Sequence, residues 1–138
     1  MVERWFIDTS FLIALASGAD QHHARANELL DGMEHDEVHL VTSSAILLEL
    51  GAALSRLAFR TGAITIIREL QADGRVEIIN VGDDLLERGL TLFERRQDKE
   101  WSLADCISFE LMKQLGIDKA LTADAHFEQA GYVALMKA

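Results

Sequence analysis

The chain has 138 residues, of which 49% are apolar, and this length and composition exclude a disordered protein and are typical of one domain. Its formal net charge of −10, from 23 acidic and 13 basic residues, argues against binding of nucleic acid by bulk electrostatic attraction. The single cysteine cannot form an internal disulfide, and the apolar run at 11–16 is too short to span a bilayer. We therefore predict a single domain over residues 1–138 of a cytoplasmic protein, with no membrane partner.

Short runs rich in β-branched and aromatic residues alternate with longer helical patterns along the chain. In chain order, the patterns predict a strand at 4–8, helices at 9–16 and 21–33, a strand at 37–42, helices at 44–59 and 61–72, a strand at 76–81, helices at 83–97 and 102–115, a strand at 117–122, a helical turn at 125–129 and a strand at 131–135. This alternation is typical of an α/β fold, in which a mostly parallel sheet carries helices on both faces. Ligands of such folds bind beyond the carboxyl ends of the strands, so the residues that follow each strand are the first candidates for a site.

Two acidic residues lie at predicted strand ends. Asp8 ends the first strand, and Asp124 follows the strand predicted at 117–122. Each also has a structural alternative, because Asp8 is suited to cap the helix that begins at Thr9 and Asp124 is suited to cap the short helical turn.

Two further acidic residues lie inside apolar helical segments. Glu49 shares a face of one long predicted helix with Arg56, beside an apolar stripe that includes Leu57. Asp105 lies in SLADCISFELM, a helix that is apolar nearly all round and is therefore predicted to be buried. The structural alternatives are an ion pair of Glu49 with a base such as Arg56, and a capping pattern formed by Ser102 and Asp105.

Together, the four acids predict a metal site. Two acids at strand ends and two on buried helix faces can converge at one edge of the sheet. Four close carboxylates repel one another and would stay partly protonated without a cation. Oxygen ligands, with no cluster of histidine or cysteine, favour Mg²⁺ or Mn²⁺.

Four segments of the sequence carry a resemblance to a known family. They are FIDTSFLIAL, LLEL, DKEWSLADCISFELM and LTADAHF, in this order, and each contains one of the four acids. With them, the chain resembles the PIN-domain nucleases, and most of all the VapC-type toxins of bacterial toxin–antitoxin pairs, over nearly its whole length. The resemblance implies a three-layer α/β/α sandwich with a mostly parallel central sheet, and metal-dependent cleavage of RNA.

By position, the resemblance assigns all four acids to the family's site. Asp8 and Asp105 are the expected main ligands of the metal, and Asp124 completes the set. Glu49 is expected to hold a second ion or to orient the attacking water. At the sixth position of LTADAHF, where some members carry another acid, this chain has His126. We expect a structural role for this lone histidine, with metal or phosphate binding as the alternative.

Fewer residues are candidates for contact with RNA. Thr9 and Thr122 are expected to donate hydrogen bonds to the carboxylates or to a phosphate, with helix capping as the alternative, whereas Ser10 is interpreted as an ordinary cap residue. Arg56 is the basic residue that we expect to contact a phosphate. Asp98 is expected to be a solvated loop acid.

The sequence therefore predicts a Mg²⁺-dependent endoribonuclease that hydrolyses RNA phosphodiester bonds. The resemblance further implies a toxin held by an antitoxin protein, which would place a basic side chain near the acids. The apolar excess and the family together predict a homodimer. One alternative is a PIN-like interaction module without catalysis, which the presence of all four acids disfavours. Another is a receiver-type phosphoacceptor regulator, which requires paired acids after the first strand, where this chain has Thr9 and Ser10.

Overall fold

The computed structural model describes residues 2–137, which form five strands and seven helices. In chain order, they are β1 (Glu3–Ile7), α1 (Thr9–Ala16), α2 (His23–His35), β2 (Val38–Ser43), α3 (Ser44–Ala53), α4 (Leu57–Ala72), β3 (Val76–Ile79), α5 (Asp83–Arg95), α6 (Leu103–Leu115), β4 (Lys119–Leu121), α7 (Ala125–Gln129) and β5 (Val133–Ala134). Among these helices, none combines the length and the apolar character needed to cross a membrane.

The five strands form one parallel sheet in the order β3–β2–β1–β4–β5. Phe6 of β1 lies opposite Val41 of β2 on one side and Ala120 of β4 on the other. The chain builds the sheet outward from β1 to β3 and then returns to add β4 on the other side of β1. The strand order therefore reverses between β1 and β4, and ligands of open parallel sheets bind beyond the carboxyl ends of the strands at such a point.

Helices cover both faces of this sheet. The helices α1 to α4 connect β1 to β3 and pack on one another, whereas α6 packs against α5 and α7. From β1 to β3 the chain adds strands on one side of β1, and after β3 it adds β4 and β5 on the other side. Because each crossover is right-handed, this reversal places α1 to α4 on one face of the sheet and α5 to α7 on the other. The side chains of Phe6, Ile7, Val41 and Leu121 are at most 1% exposed, as expected for strands covered on both faces. The predicted three-layer α/β/α sandwich is confirmed.

The segment predicted as one helix over 44–59 is two helices. The first, α3, ends at Ala53, and α4 begins at Leu57. In the connection, the guanidinium group of Arg60 donates to the carbonyl oxygen of Ser55 at 2.7 and 3.0 Å. This contact satisfies a carbonyl group that the break in the helix leaves without an intrahelical partner.

The break changes the predicted surroundings of Glu49. Arg56 occupies the capping position before α4 and does not share a helix face with Glu49, so that prediction was wrong. Leu57 is 84% exposed and does not belong to the apolar stripe, which was also a wrong prediction. No proline marks the break, and the helical periodicity continues through it, so the sequence pattern favours one helix.

The last strand is shorter than the predicted segment 131–135. Gly131 has a φ of 96°, which favours glycine, and its N–H group donates to the carbonyl oxygen of Glu128 at 3.0 Å. Gly131 therefore belongs to the turn after α7, and β5 begins only at Val133.

An aromatic cluster fixes the positions of α6 and α7 relative to each other. Phe109 of α6 packs edge-to-face against Phe127 of α7 and against Trp101, with ring centroids 4.9 and 5.0 Å apart. The indole N–H group of Trp101 donates to Gln129 at 3.0 Å. Each aromatic pair adds about 0.5–1.5 kcal/mol beyond its burial. Because Trp101 lies just before α6 and Phe127 lies in α7, the cluster also positions the polar residues at the start of both helices.

Candidate metal centre

Asp8 is the first residue beyond β1, at the carboxyl end of the central strand. Its backbone N–H group donates to the carbonyl oxygen of Leu121 in β4 at 3.2 Å, and the residue is only 6% exposed. The hydroxyl groups of Thr122 and Ser10 donate to the same carboxylate oxygen, Oδ2, at 2.7 and 2.9 Å. The side chain makes no capping hydrogen bond to α1, so its role is not that of a helix cap.

Two backbone N–H groups after β4 hold these hydroxyl groups in place. The N–H group of Ala123 donates to Ser10 Oγ at 3.2 Å, and that of Asp124 donates to Thr122 Oγ1 at 3.0 Å. Each hydroxyl group therefore accepts from the segment after β4 and donates its single proton to Asp8. The interpretation of Ser10 as an ordinary cap residue was wrong, because its side chain belongs to this network.

Burial raises the pKa of Asp8 from its ordinary value of 3.8 to about 6. The hydrogen bonds from Thr122 and Ser10 lower this pKa, and the negative charge of Asp105 raises it. Loss of water is the largest of these causes, and it acts against the charged form of the carboxyl group. A cation beside Asp8 would favour the ionised carboxylate and lower the pKa again.

Glu49 reaches the same edge of the sheet from α3. The hydroxyl group of Thr9, the first residue of α1, donates to Glu49 Oε1 at 2.7 Å. Thr9 therefore orients a carboxylate, which is one of the roles that the sequence predicted for it. Burial raises the pKa of Glu49, and the charges of Asp105 and Asp124 raise it further. Glu49 thus lies within electrostatic reach of both aspartates.

Asp105 lies in the first turn of α6 and completes a capping box. Its N–H group donates to Ser102 Oγ at 3.0 Å, and its Oδ2 atom accepts from the N–H group of Ser102 at 3.1 Å. The predicted capping pattern is confirmed, but capping does not account for the whole environment of the side chain. The same Oδ2 atom lies 3.0 Å from Nδ1 of His126, and Asp105 is only 9% exposed.

Asp124 caps α7 and faces the same histidine. Its Oδ1 atom accepts from the backbone N–H group of His126 at 2.8 Å and lies 3.4 Å from Nδ1 of that residue. The ring of His126 therefore contacts both Asp105 and Asp124. The sequence favoured a structural role for this histidine, and the structure places it inside the acidic cluster.

The structure thus brings the four predicted acids and both predicted threonines to one edge of the sheet, and it leaves two candidates elsewhere. Arg56 is exposed, and no hydrogen bond or ion pair joins it to the acids within residues 2–137. Asp98 forms an exposed ion pair with Arg96 at 3.0 Å, which lowers the pKa of Asp98. The expectation of a solvated loop acid is confirmed for Asp98.

The donor set at this edge fits a divalent cation. One ligand atom from each of Asp105, Asp124 and His126 lies within 4.8 Å of the others. Carboxylate oxygens are preferred by Mg²⁺ and Mn²⁺, and an imidazole nitrogen suits transition-metal ions. In the part of the chain that the structure describes, His126 is the only basic side chain paired with any of these acids. The negative charge of the cluster is therefore not balanced by the chain itself.

Comparison with known proteins identifies the family. The sequence pattern that defines the PIN domain matches residues 5–132. The chain belongs to the PIN domain family. The match includes all four acids, and it confirms the predicted family and excludes the receiver-type alternative.

Two named relatives of this PIN domain are nucleases. The 23S rRNA-specific endonuclease VapC20 of Mycobacterium tuberculosis is 30% identical over 128 residues, which cover 93% of this chain and 95% of the relative. Ribonuclease VapC26 of the same organism is 29% identical over 122 residues, which cover 88% of this chain and 87% of the relative. The predicted nuclease class agrees with both names.

Solved structures show the same fold. The crystal structure of M. tuberculosis VapC20, described as a sarcin-ricin loop cleaving toxin, matches with a TM-score of 0.83 at 29% identity, covering 93% of this chain and 95% of that one. VapBC2 from Rickettsia felis matches with a TM-score of 0.65 at 14% identity, covering 95% and 96% of the two chains, and shares the fold.

Proposed function

We propose that residues 1–138 form a single PIN-like domain that acts as a Mg²⁺-dependent endoribonuclease and hydrolyses RNA phosphodiester bonds. The observation that carries this proposal is the convergence of Asp8, Glu49, Asp105 and Asp124 on one edge of the sheet, with the pKa of Asp8 raised by burial. Such a cluster is stable in its ionised form only beside a cation. Mn²⁺ is the alternative cation for these ligands.

Three acids are assigned to metal binding, namely Asp8, Asp105 and Asp124. When bound, Mg²⁺ lowers the pKa of a water molecule, polarises the phosphate and stabilises the leaving oxygen. The hydroxyl groups of Ser10 and Thr122 both bind Oδ2 of Asp8, so they orient this carboxylate without engaging its second oxygen. The backbone contacts of the other two acids fix their orientation in the same way.

Glu49 is assigned a different role, because it lies on another helix and hydrogen-bonds to Thr9. It orients the attacking water or holds a second ion. Its raised pKa suits a group that interacts with the proton of that water. Thr9 then acts as a positioning residue for Glu49.

The proposed substrate is RNA, and 23S rRNA is the first RNA to test because VapC20 is named for it. Arg56 is proposed to contact a phosphate of the RNA, since its side chain is exposed and has no partner among residues 2–137 that would occupy it. With a net charge of −10, the chain must bind RNA through local contacts rather than through its overall charge.

The partner proposals follow from the family resemblance and from the surface. We propose a cytoplasmic toxin held by an antitoxin protein that places a basic side chain near the acids. A homodimer is also proposed, and four exposed apolar residues on α3 and α4 support an interaction surface: Leu48, Leu57, Phe59 and Ile64 are 48–84% exposed. Light scattering on the purified chain measures the mass, and a monomer would contradict the dimer.

The test is cleavage of total cellular RNA by the purified chain with Mg²⁺. We expect discrete products, mapped by primer extension, that are lost with EDTA and in the variants Asp8→Asn and Asp105→Asn. The matched control is Asp31→Asn, which changes an exposed aspartate on α2 and should cleave like the wild type. A folded, metal-loaded chain that cleaves no RNA would overturn the proposal and support the interaction module without catalysis.

A further inference from the structure

His126 is a nitrogen donor in a cluster whose other members donate oxygen. Its Nδ1 atom lies 3.0 Å from Oδ2 of Asp105 and 3.4 Å from Oδ1 of Asp124. The three residues come from two elements, the first turn of α6 and the segment that opens α7, and the aromatic cluster of Phe109 and Phe127 holds these elements together. The position of the ring therefore depends on the fold and not only on local contacts.

The spacing of these atoms fits three ligands of one cation. Two ligands at right angles, each about 2.1 Å from a metal ion, are separated by about 3.0 Å. The separations of His126 Nδ1 from the two carboxylate oxygens, 3.0 and 3.4 Å, are near this value, and the three ligand atoms all lie within 4.8 Å of one another. Both oxygens already accept a backbone N–H group, from Ser102 and from His126 respectively, and such contacts fix the orientation of metal ligands.

A purely structural role explains these contacts less well. A single hydrogen bond from Nδ1 to Asp105 would account for the distance of 3.0 Å, but the ring also faces Asp124 at 3.4 Å. The ring is 31% exposed, so it is not retained there as a packing residue of the core. One nitrogen that faces two carboxylates, with the buried carboxylate of Asp8 at the same edge of the sheet, is an arrangement that a shared cation stabilises.

We propose that His126 is a ligand of the metal ion, through Nδ1, together with Asp105 and Asp124. The proposal rests on the proposed function, since it concerns the same metal centre. It has a consequence for the choice of metal. An imidazole nitrogen contributes more to the binding of a transition-metal ion such as Mn²⁺ than to the binding of Mg²⁺, so the centre should bind Mn²⁺ in preference to Mg²⁺.

The first experiment detects the nitrogen directly. The full chain is loaded with Mn²⁺, and pulsed electron paramagnetic resonance measures coupling of the metal's electron spin to ¹⁴N. We expect ¹⁴N coupling in the wild type and its loss in His126→Ala. The control is His35→Ala, which removes an exposed histidine at the end of α2 and should keep the coupling. Circular dichroism establishes that each variant is folded.

The second experiment measures the affinity for each metal by titration calorimetry. Loss of a residue that only orients a metal ligand typically costs about 10–100-fold in affinity, and loss of the ligand itself should cost at least about tenfold for Mn²⁺. The loss of affinity for Mg²⁺ should be smaller than that for Mn²⁺. The ratio of the Mn²⁺ affinity to the Mg²⁺ affinity should therefore be lower in His126→Ala than in the wild type. His126→Asp restores an oxygen ligand and should bind Mg²⁺ at least as well as the wild type, without ¹⁴N coupling.

The outcomes separate this proposal from the proposed function. The role of His126 would be overturned if Mn²⁺ bound to the wild type without ¹⁴N coupling, or if the coupling persisted in His126→Ala. In either case, Mg²⁺-dependent cleavage of RNA would still support the nuclease. An unchanged ratio of the Mn²⁺ and Mg²⁺ affinities in His126→Ala would also overturn it. A chain that binds neither metal and cleaves no RNA would overturn both proposals together.

Discussion

Replacement of Asp8 by asparagine is expected to stabilise the metal-free protein while it removes activity. Asp8 is 6% exposed, and burial raises its pKa to about 6 from 3.8. In the absence of metal, the carboxylate of Asp8 is therefore ionised at pH 8 in the folded chain, although its burial disfavours the charged form. A tenfold change in proton affinity corresponds to about 1.36 kcal/mol, so the difference between the two pKa values corresponds to about 3 kcal/mol.

The sign of the pH dependence follows from the raised pKa. The folded chain binds the proton of Asp8 more tightly than the unfolded chain, so the contribution to stability falls as pH rises from about 4 to about 6 and is constant above that range. Asparagine carries no such proton, and its carbonyl oxygen can still accept from Ser10 and Thr122. The gain in free energy of unfolding should therefore be about 3 kcal/mol at pH 8 and less than about 1 kcal/mol at pH 4.

Urea unfolding in EDTA at pH 4, 6 and 8, followed by circular dichroism, measures this difference. Addition of Mg²⁺ or Mn²⁺ at pH 8 should then stabilise the wild type more than Asp8→Asn, because the variant lacks one carboxylate ligand and binds the metal more weakly. Asp31→Asn serves as the control and should match the wild type both in EDTA and in its stabilisation by metal. An Asp8→Asn variant that is less stable than the wild type at pH 8, or whose gain is independent of pH, would refute the reasoning.

Two further predictions concern the packing and the hydroxyl groups around the site. Gly89→Ala should lower the free energy of unfolding by about 1–3 kcal/mol, because the added Cβ would lie 2.5 Å from Cγ1 of Ile107. Urea unfolding measures this loss, and the control is Gly62→Ala, whose added Cβ would have nothing within 4 Å. The control should raise the free energy of unfolding by up to about 1 kcal/mol. Equal changes in the two variants would contradict close packing of α5 on α6. Thr122→Val should cost about 1–3 kcal/mol in the same assay, because it removes the 2.7 Å hydrogen bond to Asp8. Thr122→Ser keeps the hydroxyl group, and a valine variant as stable as the serine variant would contradict this role.

The sequence predicted the fold and the location of the site because both depend on short-range patterns. Alternation of strands and helices indicates a parallel sheet, and acids that follow β1 and β4 within three residues then lie at its carboxyl edge. The order of the strands makes β1 and β4 neighbours, which brings Asp8 and Asp124 together. An acid on an apolar helix, such as Asp105, is visible in the sequence because its burial demands a partner.

Other features could not be predicted from the sequence pattern. The break between α3 and α4 is held by the contact of Arg60 with Ser55, and neither a proline nor a lapse in the helical periodicity marks it. Ser10 looks like a cap residue because it follows Asp8 at a helix start, and only the pairing of β1 with β4 brings it to the N–H group of Ala123. His126 has no neighbour in the sequence that reveals its contact with Asp105, which lies 21 residues away.

The electrostatics of the four acids show why the proposed function requires a cation from outside the chain. Asp8, Glu49, Asp105 and Asp124 lie near one another, and among residues 2–137 only His126 pairs with them as a base. A fold selected for stability alone would replace a buried acid such as Asp8 by a neutral residue, because the ionised form disfavours folding. The energetic cost is offset only when a cation occupies the cluster. A metal ion and the basic side chain of a partner would neutralise the same carboxylates, so binding of one should weaken binding of the other.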